Sequence, residues 1–550
     1  MFSVARFFPR VFVICVAVGI VRTACGADAG LMVRGEKIYA EKCLLCHQQS
    51  GQGAPPVFPP LAKSDWLEGD RVRTIKVLCE GLSGPITVLN QTYNNVMPAQ
   101  VLDDAEVAAV LTYVVNSWGN KAPAFTEKEV AAARAKTKFP TYAALVKSTA
   151  YQPLPKAPAG FTLREVVQLP EFCTRLAGDG RAVYVLGQNG GVFALDVAAG
   201  ALVPMIKPEE YLDRKRGDLV TLGMTVDGEG RLWVVSNQKL TKDVPVYTNE
   251  VVIWRTSEML DGRPAKLRPW FTTSYGQGVG GMNHGVSHLA FGPDGMLYVS
   301  SGSRTDGGEV RGDPDHFFQG AEVETTACVW RFDPKAEKPE LEVYARGIRN
   351  PYGFAWDGEG NLFTFANGPD YSAPEEMDLV QQGRHYGFPY QFSNWPVKPG
   401  FPYPHTPPPP PGVTFTGPVL NVGPAGGGTR EGLGTFDPHS CPGGAIWCGE
   451  DFPAALRGSF LVTRFGNLLG PPAAPRDVGF DLLSVRVAKP DGGPRRARVE
   501  TVLAPLARPL DVLRVGAGRV LILEYTRPVT FKDGVGWLPG RILELAAEKD

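Results

Sequence analysis

The sequence predicts a multidomain protein: a small all-α domain followed by an all-β six-bladed β-propeller that takes up most of its 550 residues. Three observations predict this. Residues 41–51, "EKCLLCHQQSG", place a C-x-x-C-H motif between segments of helical periodicity. Beyond the Pro-rich stretch "YQPLPKAPAG" (151–160) the periodicity changes to short alternating strands. In that second part a D-G or P-D-G turn ahead of an apolar strand recurs roughly every 50–65 residues, the period of a repeat with several strands per unit. The 64 Gly and 49 Pro, with no low-complexity repeat, supply the many turns such a fold needs.

Residues 1–29 read as an export signal. Arg6 and Arg10 form a basic start, Val11 to Val21 an apolar run too short to span a bilayer comfortably, and small residues follow from Ala24 to Ala29. An uncleaved N-terminal anchor is the alternative. Cys25 raises a lipoprotein, but Arg22 stands where a lipobox needs an aliphatic residue. The mature chain is therefore expected in the periplasm. A formal charge of −1 gives no electrostatic basis for binding nucleic acid or an anionic membrane.

Residues 30–122 form the predicted haem domain. The thiols of Cys43 and Cys46 add to the haem vinyl groups and His47 becomes the proximal iron ligand. Zinc would need further Cys or His ligands nearby, and His47 is the one histidine in the first 280 residues. The same census excludes a histidine from this domain as the sixth ligand and leaves Met97 or Met32. Met97 lies in the turn-rich "YNNVMPAQ"; Met32 is one turn upstream of the attachment helix, so Met97 is the expected ligand. "DDAEVAAVLTYVVNSWGN" begins with a capping box, Asp103 and Glu106, and sets Val107, Val110, Leu111, Val114, Val115 and Trp118 on one apolar face. Cys79, Cys173, Cys328, Cys441 and Cys448 are too scattered for a disulfide framework; Cys441 and Cys448 are either bridged or free. Residues 123–160 read as a polar helical stretch broken at Pro140, then a semi-stiff linker.

Residues 161–550 carry the repeats. Their anchors are Asp179, Asp227, Asp294, Asp357, Gly458 and Gly516, hence six blades. "FTLREVVQL" near 161 and "GRILELA" at the C-terminus are expected to share one blade and close the ring. The longest interval holds a Pro/Gly-rich insertion near 405–430. Three loops carry chemistry. His284 and His288, in "GGMNHGVSHLAFGPDG", precede a strand, where a neutral imidazole can accept a proton. Arg349 and Asn350 precede Pro351, and an Arg there can hold an anion. "NGPD" then opens an acidic loop with Asp370, Glu375, Glu376 and Asp378; the carbonyls of Gly368 and Pro369 with these carboxylates suit calcium, or the loop is simply solvated. Arg508 and Asp511 precede the last blade, spaced for a local ion pair.

Residues 31–120, with "PPLAKSDWLEGD", "GLSGPI", "MPA" and "AEVAAVLTYVVNSWGN", resemble class I cytochrome c domains attached to periplasmic quinoprotein dehydrogenases. Residues 160–546 resemble the soluble glucose dehydrogenase and sorbosone dehydrogenase family, six-bladed propellers that use pyrroloquinoline quinone (PQQ). The likeness rests on the His loop before G-P-D-G, "RNPYG", "GPD", "HYGFP" (385–389) and an R-x-x-D loop before the final blade. The resemblance implies that His284 is the general base and that Arg349 stabilises charge on the quinone oxygen. It implies that Asn350, Asn367 (where the family usually shows Gln or His) and Arg508 lie at the cofactor. It implies calcium at Gly368 and Pro369, and a second calcium region at Glu376 and Tyr386. The function it implies is oxidation of a sugar or related alcohol or aldehyde, with electrons passing to haem c and on to a periplasmic or membrane respiratory acceptor. The rivals are a metal-dependent lactonase-like hydrolase and a non-enzymatic binding propeller carrying an electron-transfer cytochrome.

Overall fold

The computed structural model describes residues 29–548 apart from 54–57, 83–85, 94–96, 98, 101, 137–145, 147–148, 241–243, 245, 261, 279–283, 311–318, 370–372, 394–407, 423–433, 468–477, 489–494 and 529–537. The expected signal segment, the break at Pro140, Asp370 and both ends of the Pro/Gly-rich insertion lie outside the described residues.

Among its described residues the N-terminal unit holds five α-helices: α1 (Ala29–Lys42), α2 (Leu44–His47), α3 (Arg71–Glu80), α4 (Asp104–Val114) and α5 (Glu127–Lys136), with a small hairpin at Ile86–Val88 and Gln91–Tyr93. The capping box forms as expected: Asp103 accepts from the Glu106 amide and Glu106 from the Asp103 amide, satisfying two orphan donors. Val107, Val110, Leu111, Val114 and Val115 are buried, and α1 crosses α4 at Gly35, where a Cβ would meet the Ala109 carbonyl at 2.1 Å. The helical unit runs on past residue 122. Val130 and Ala133 of α5 are buried in the same core, and Arg71 forks onto Glu129 at 2.6 and 2.8 Å.

The described residues of 161–548 form six sheets arranged as blades, antiparallel except that the short strand Leu420–Asn421 joins the fifth in parallel. Their innermost strands are Cys173–Gly178, Gly217–Val226, Val286–Phe291, Pro351–Trp356, Pro442–Cys448 and Pro509–Gly516. Each repeat anchor is the hairpin turn between a blade's first and second strands. There the Asp carboxylate accepts amides two to four residues on: Arg181 and Ala182 on Asp179, Glu229 and Arg231 on Asp227, Glu359 and Asn361 on Asp357. The ring closes as expected. Phe161–Gln168 pairs antiparallel with Pro539–Ala547 and becomes the outer strand of the sixth blade. All cysteines among the described residues are free, so Cys441 and Cys448 do not bridge. No helix among the described residues is long and apolar enough to cross a membrane.

Candidate functional site

Two sites emerge. In the helical unit, α1 delivers Cys43, and α2 turns His47 into a cavity that Cys43, Cys46 and Met97 also border. Counted to its open edge, the cavity's empty space is about 1230 Å³. Its walls are mainly apolar, with Leu61, Leu78, Leu82, Leu111 and Val114 among them. His47 Nδ1 lies 3.0 Å from the Pro59 carbonyl. A carbonyl only accepts, so Nδ1 carries the proton and Nε2 is left for a metal. Burial lowers the His47 pKa and keeps the ring neutral. Met97 is held by a reciprocal backbone bridge to Leu82, 2.9 Å each way. Met32 does not border the cavity. Arg73 does: its Nη2 donates to the Trp66 carbonyl (2.8 Å), while its buried Nε has no partner. Two thiols, one imidazole nitrogen, one thioether and an orphaned guanidinium donor fit a covalent haem with an acidic edge.

The second site lies at one mouth of the propeller channel, where the loops entering the inner strands meet those joining second to third strands. Backbone bonds lace these loops together. The His284 amide donates to the Ser303 carbonyl (3.0 Å), the Ser303 amide to the Arg349 carbonyl (2.6 Å), and the Asn367 amide to the Asn350 carbonyl (3.0 Å). His284 Nδ1 sits 3.0 Å from the same Ser303 carbonyl, so its Nε2 keeps the free lone pair. Burial, then the nearby Arg349 charge, push its pKa down to about 3. Arg349 is buried; Nε and Nη2 bond the Asp306 carbonyl (2.9 Å) and carboxylate (2.5 Å). Asn350 Oδ1 and Asn367 Oδ1 are buried here without a partner. The Arg349 guanidinium supplies the charge that an anionic ligand such as PQQ needs, while the two orphaned amide oxygens and the His284 lone pair are acceptors that call for donor groups such as hydroxyls.

Other expectations change. His288 is not on the loop: it belongs to the strand Val286–Phe291, half-buried against the Phe354 ring at 4.5 Å, with its buried Nδ1 unpartnered. Arg508 and Asp511 do not pair locally. Asp511 holds Arg175 (3.2 Å) and the Leu176 amide (2.8 Å). Arg508, in the left-handed region at φ 54°, donates to the Asn467 carbonyl (3.1 Å) between the Phe465 and Phe480 rings.

The calcium expectations divide. The Gly368 carbonyl accepts from Arg349 Nη1 at 2.5 Å, and the Asn367 carbonyl at 3.1 Å. A guanidinium and a divalent cation repel, so with Arg349 in this position Gly368 and Pro369 do not fit calcium. At the second region the acidic loop has become a strand, Glu376–Val380. Glu376 Oε2 and both Asp378 oxygens are buried with no partner, a donor pair that suits a hard cation. The Tyr386 hydroxyl is committed elsewhere, donating to the Leu379 carbonyl (2.6 Å) and accepting from the Gln381 amide (2.8 Å). Among the described residues no three His, Cys, Asp or Glu side chains converge as metal ligands.

Two residues at the mouth went unremarked in the sequence, Asp306 and Ser303, and His439 joins them. His439 is also left-handed, at φ 62°, and Arg349 is close enough to help depress its pKa below the usual value, after burial. Left-handed non-glycine residues cluster at functional loops. Glu375 joins this side, its Oε2 accepting from Ser440 Oγ at 3.0 Å, with burial raising its pKa to about 8.

The cytochrome c family model matches residues 32–118 and the glucose / sorbosone dehydrogenase model residues 229–400. Cytochrome c-552 of Thermus thermophilus is 45% identical over 116 residues, 19% of this chain and 88% of the relative. The cytochrome c subunit of a quinone alcohol dehydrogenase from Gluconacetobacter polyoxogenes is 30% identical over 98 residues, 16% of this chain and 20% of the relative. Among solved structures, the PQQ-bound aldose sugar dehydrogenase of Streptomyces coelicolor aligns with a TM-score of 0.45 at 19% identity, covering 71% of this chain and 99% of its own.

Proposed function

We propose that this chain, which belongs to the cytochrome c family through its N-terminal domain and carries a glucose/sorbosone dehydrogenase domain in its propeller, is a periplasmic quinohaemoprotein dehydrogenase. Its substrate would be a sugar or related alcohol or aldehyde. The observation that carries this reading is the pairing of a haem-attachment cavity with a propeller mouth in which His284, Arg349, Asn350 and Asn367 converge. When bound, PQQ supplies a two-electron acceptor for hydride and haem c a one-electron carrier. The chain's own residues do the rest. His284 takes the substrate hydroxyl proton on Nε2, the nitrogen its Ser303 bond leaves free. Arg349, steadied by Asp306, places a fixed positive charge where negative charge develops. Asn350 and Asn367 orient a polar ligand with their amides, and Arg508 closes the other side of the mouth with a buried cation. Oxidation of CH–OH to C=O releases two electrons and two protons. A haem held by Cys43, Cys46, His47 and Met97 would carry the electrons singly to a respiratory acceptor, and the hydroxyl proton would pass from His284 to solvent.

Neither rival accounts for both sites together: hydrolysis moves no electrons, and a binding propeller needs no proton acceptor at its mouth. The test is to load the purified full chain with PQQ and calcium, add aldoses, alcohols and aldehydes, and follow the haem α-band. Reduction that needs both substrate and quinone is expected, and His284→Ala should lose it by about 10²–10⁴-fold with an unchanged haem spectrum. No reduction with any substrate in that set would leave the binding reading in its place.

A further inference from the structure

The haem must take its electrons from some propeller, and the segment joining the two domains bears on which one. The helix α5, described as far as Lys136, is locked to the helical unit by Arg71–Glu129 and by Arg134, which pairs with Asp104 and donates to the Leu102 carbonyl (2.6 Å). Farther along, the chain is fastened to the propeller. Arg527 Nη1 donates to the Val146 carbonyl (2.8 Å), and the Gln152 amide donates to the Arg527 carbonyl (2.8 Å). Arg541 Nη2 donates to the Gln152 carbonyl. Between these bonds the Tyr151 ring lies against both guanidinium groups, 4.6 Å from Arg527 and 5.4 Å from Arg541. Such stacking contributes about 0.5–2 kcal/mol per cation. Arg541 is itself held by Glu524 (2.6 Å) and Glu165 (3.0 Å), so the anchor is rigid on the propeller side.

The anchor's place matters more than its strength. Arg527 directly follows the second strand of the sixth blade, Arg519–Thr526, at the mouth end of the propeller. Two residues earlier, the Tyr525 amide donates to the Arg508 carbonyl (3.0 Å). The tether therefore meets the propeller at the rim of the candidate site, not on the opposite face. From Lys136 to Val146 the chain takes ten steps, which span at most about 35 Å even fully extended.

We propose that Tyr151, clamped by Arg527 and Arg541, is a positioning residue that pins the interdomain tether to the mouth rim, so that the haem takes its electrons from its own propeller rather than from a second molecule. The inference rests on the dehydrogenase reading. Ten residue steps hold the end of α5 within about 35 Å of Val146 and so keep the haem domain at a high effective concentration near the rim, whereas release of the clamp moves the point of attachment farther along the chain and dilutes it.

The full-length Tyr151→Ala variant tests this. Substrate-driven haem reduction in the wild type should be independent of protein concentration. In the variant it should slow at least about tenfold and become concentration-dependent. Haem reduction by ascorbate, and turnover with a small dye that accepts electrons directly from the propeller, should not change; a merely destabilised protein would lose both. Trypsin cleavage at Lys147 and Lys156 should quicken in the variant without any substrate present. Wild-type reduction kinetics in the variant, or unchanged cleavage, overturns the clamp. If the wild-type haem is never reduced by substrate, the dehydrogenase reading fails instead, and cleavage alone still decides whether Tyr151 pins the tether.

Discussion

His284 keeps a neutral ring because ionising it would mean charging a buried group beside Arg349. The sign of the pH effect follows. In the unfolded chain the imidazole binds a proton below its ordinary pKa of about 6.5; in the folded chain it does so only near 3. Between those limits the unfolded state holds the extra proton, so stability is lost as pH falls from 6.5 toward 3. His288, whose pKa desolvation pushes well below its usual value, acts in the same direction. Glu375 acts the other way, since a carboxyl held neutral up to about 8 loses stability as pH rises through 4.5–8. His284→Gln removes one acid-side term, so its melting temperature relative to wild type should climb as pH drops from 7 to 4; a constant offset across that range would show that the imidazole is not held neutral. The same depressed pKa removes any acid limb due to His284 from the rate profile above about pH 4. The sequence made His284 and Arg349 legible because each sits at a fixed offset from a turn or a proline. Asp306 and His439 carry no such local mark. Their importance comes from Arg349, 43 residues from Asp306 along the chain.

At the scale of single elements, the strand Glu376–Val380 is the most informative. Paired with Leu362–Ala366, it sets Thr364 opposite Asp378 and Ala366 opposite Glu376. Alternation turns Met377 into the apolar core with Phe365 and Phe436, and puts the two carboxylates together on the opposite, equally buried face. Two buried carboxylates with three unpartnered oxygens, and an unpartnered Thr364 Oγ1 nearby, are costly unless protonated or bound to a cation. Burial raises both pKa values, Asp378 to about 8. Calcium binding only the folded state should raise the propeller's melting temperature, with about 2.7 kcal/mol of stabilisation at a hundredfold excess over Kd. Asp378→Asn should lose most of that rise, and a melting curve indifferent to both calcium and chelator would rule the site out. Sequence alone left a calcium site and a solvated loop as alternatives here and gave no sign of a strand, because acidic residues are depleted in strands. By contrast, the hairpin anchors were legible because an Asp that caps its own turn needs only its neighbours' amides.

For the molecule as a whole, the channel is crossed by one side chain that no local pattern announces. Arg175, fully buried on the first blade's inner strand, donates to the Leu222 carbonyl (3.2 Å), the Ser287 carbonyl (2.9 Å) and the Tyr352 carbonyl (3.2 Å), and pairs with Asp511 (3.2 Å). Its partners stand on the inner strands of blades two, three, four and six, at separations of 47, 112, 177 and 336 residues. Contacts so distant in the chain leave no periodicity or spacing to read. They require the inner strands of five blades to be gathered around one axis. Since Arg175 joins five of six blades, its loss should weaken the ring itself rather than one blade. Breaking a buried pair by removing one partner costs about 3–5 kcal/mol, because the other charge is left buried and unpaired. Arg175→Met should therefore lower the propeller's thermal transition sharply while leaving that of the helical domain in place. Pairing it with Asp511→Leu removes the stranded carboxylate and should recover much of the loss, though the carbonyls of Leu222, Ser287 and Tyr352 would still lack their donor. If the single variant melts like wild type, or if the double variant is less stable than the single, Arg175 is not the brace that holds the inner strands together.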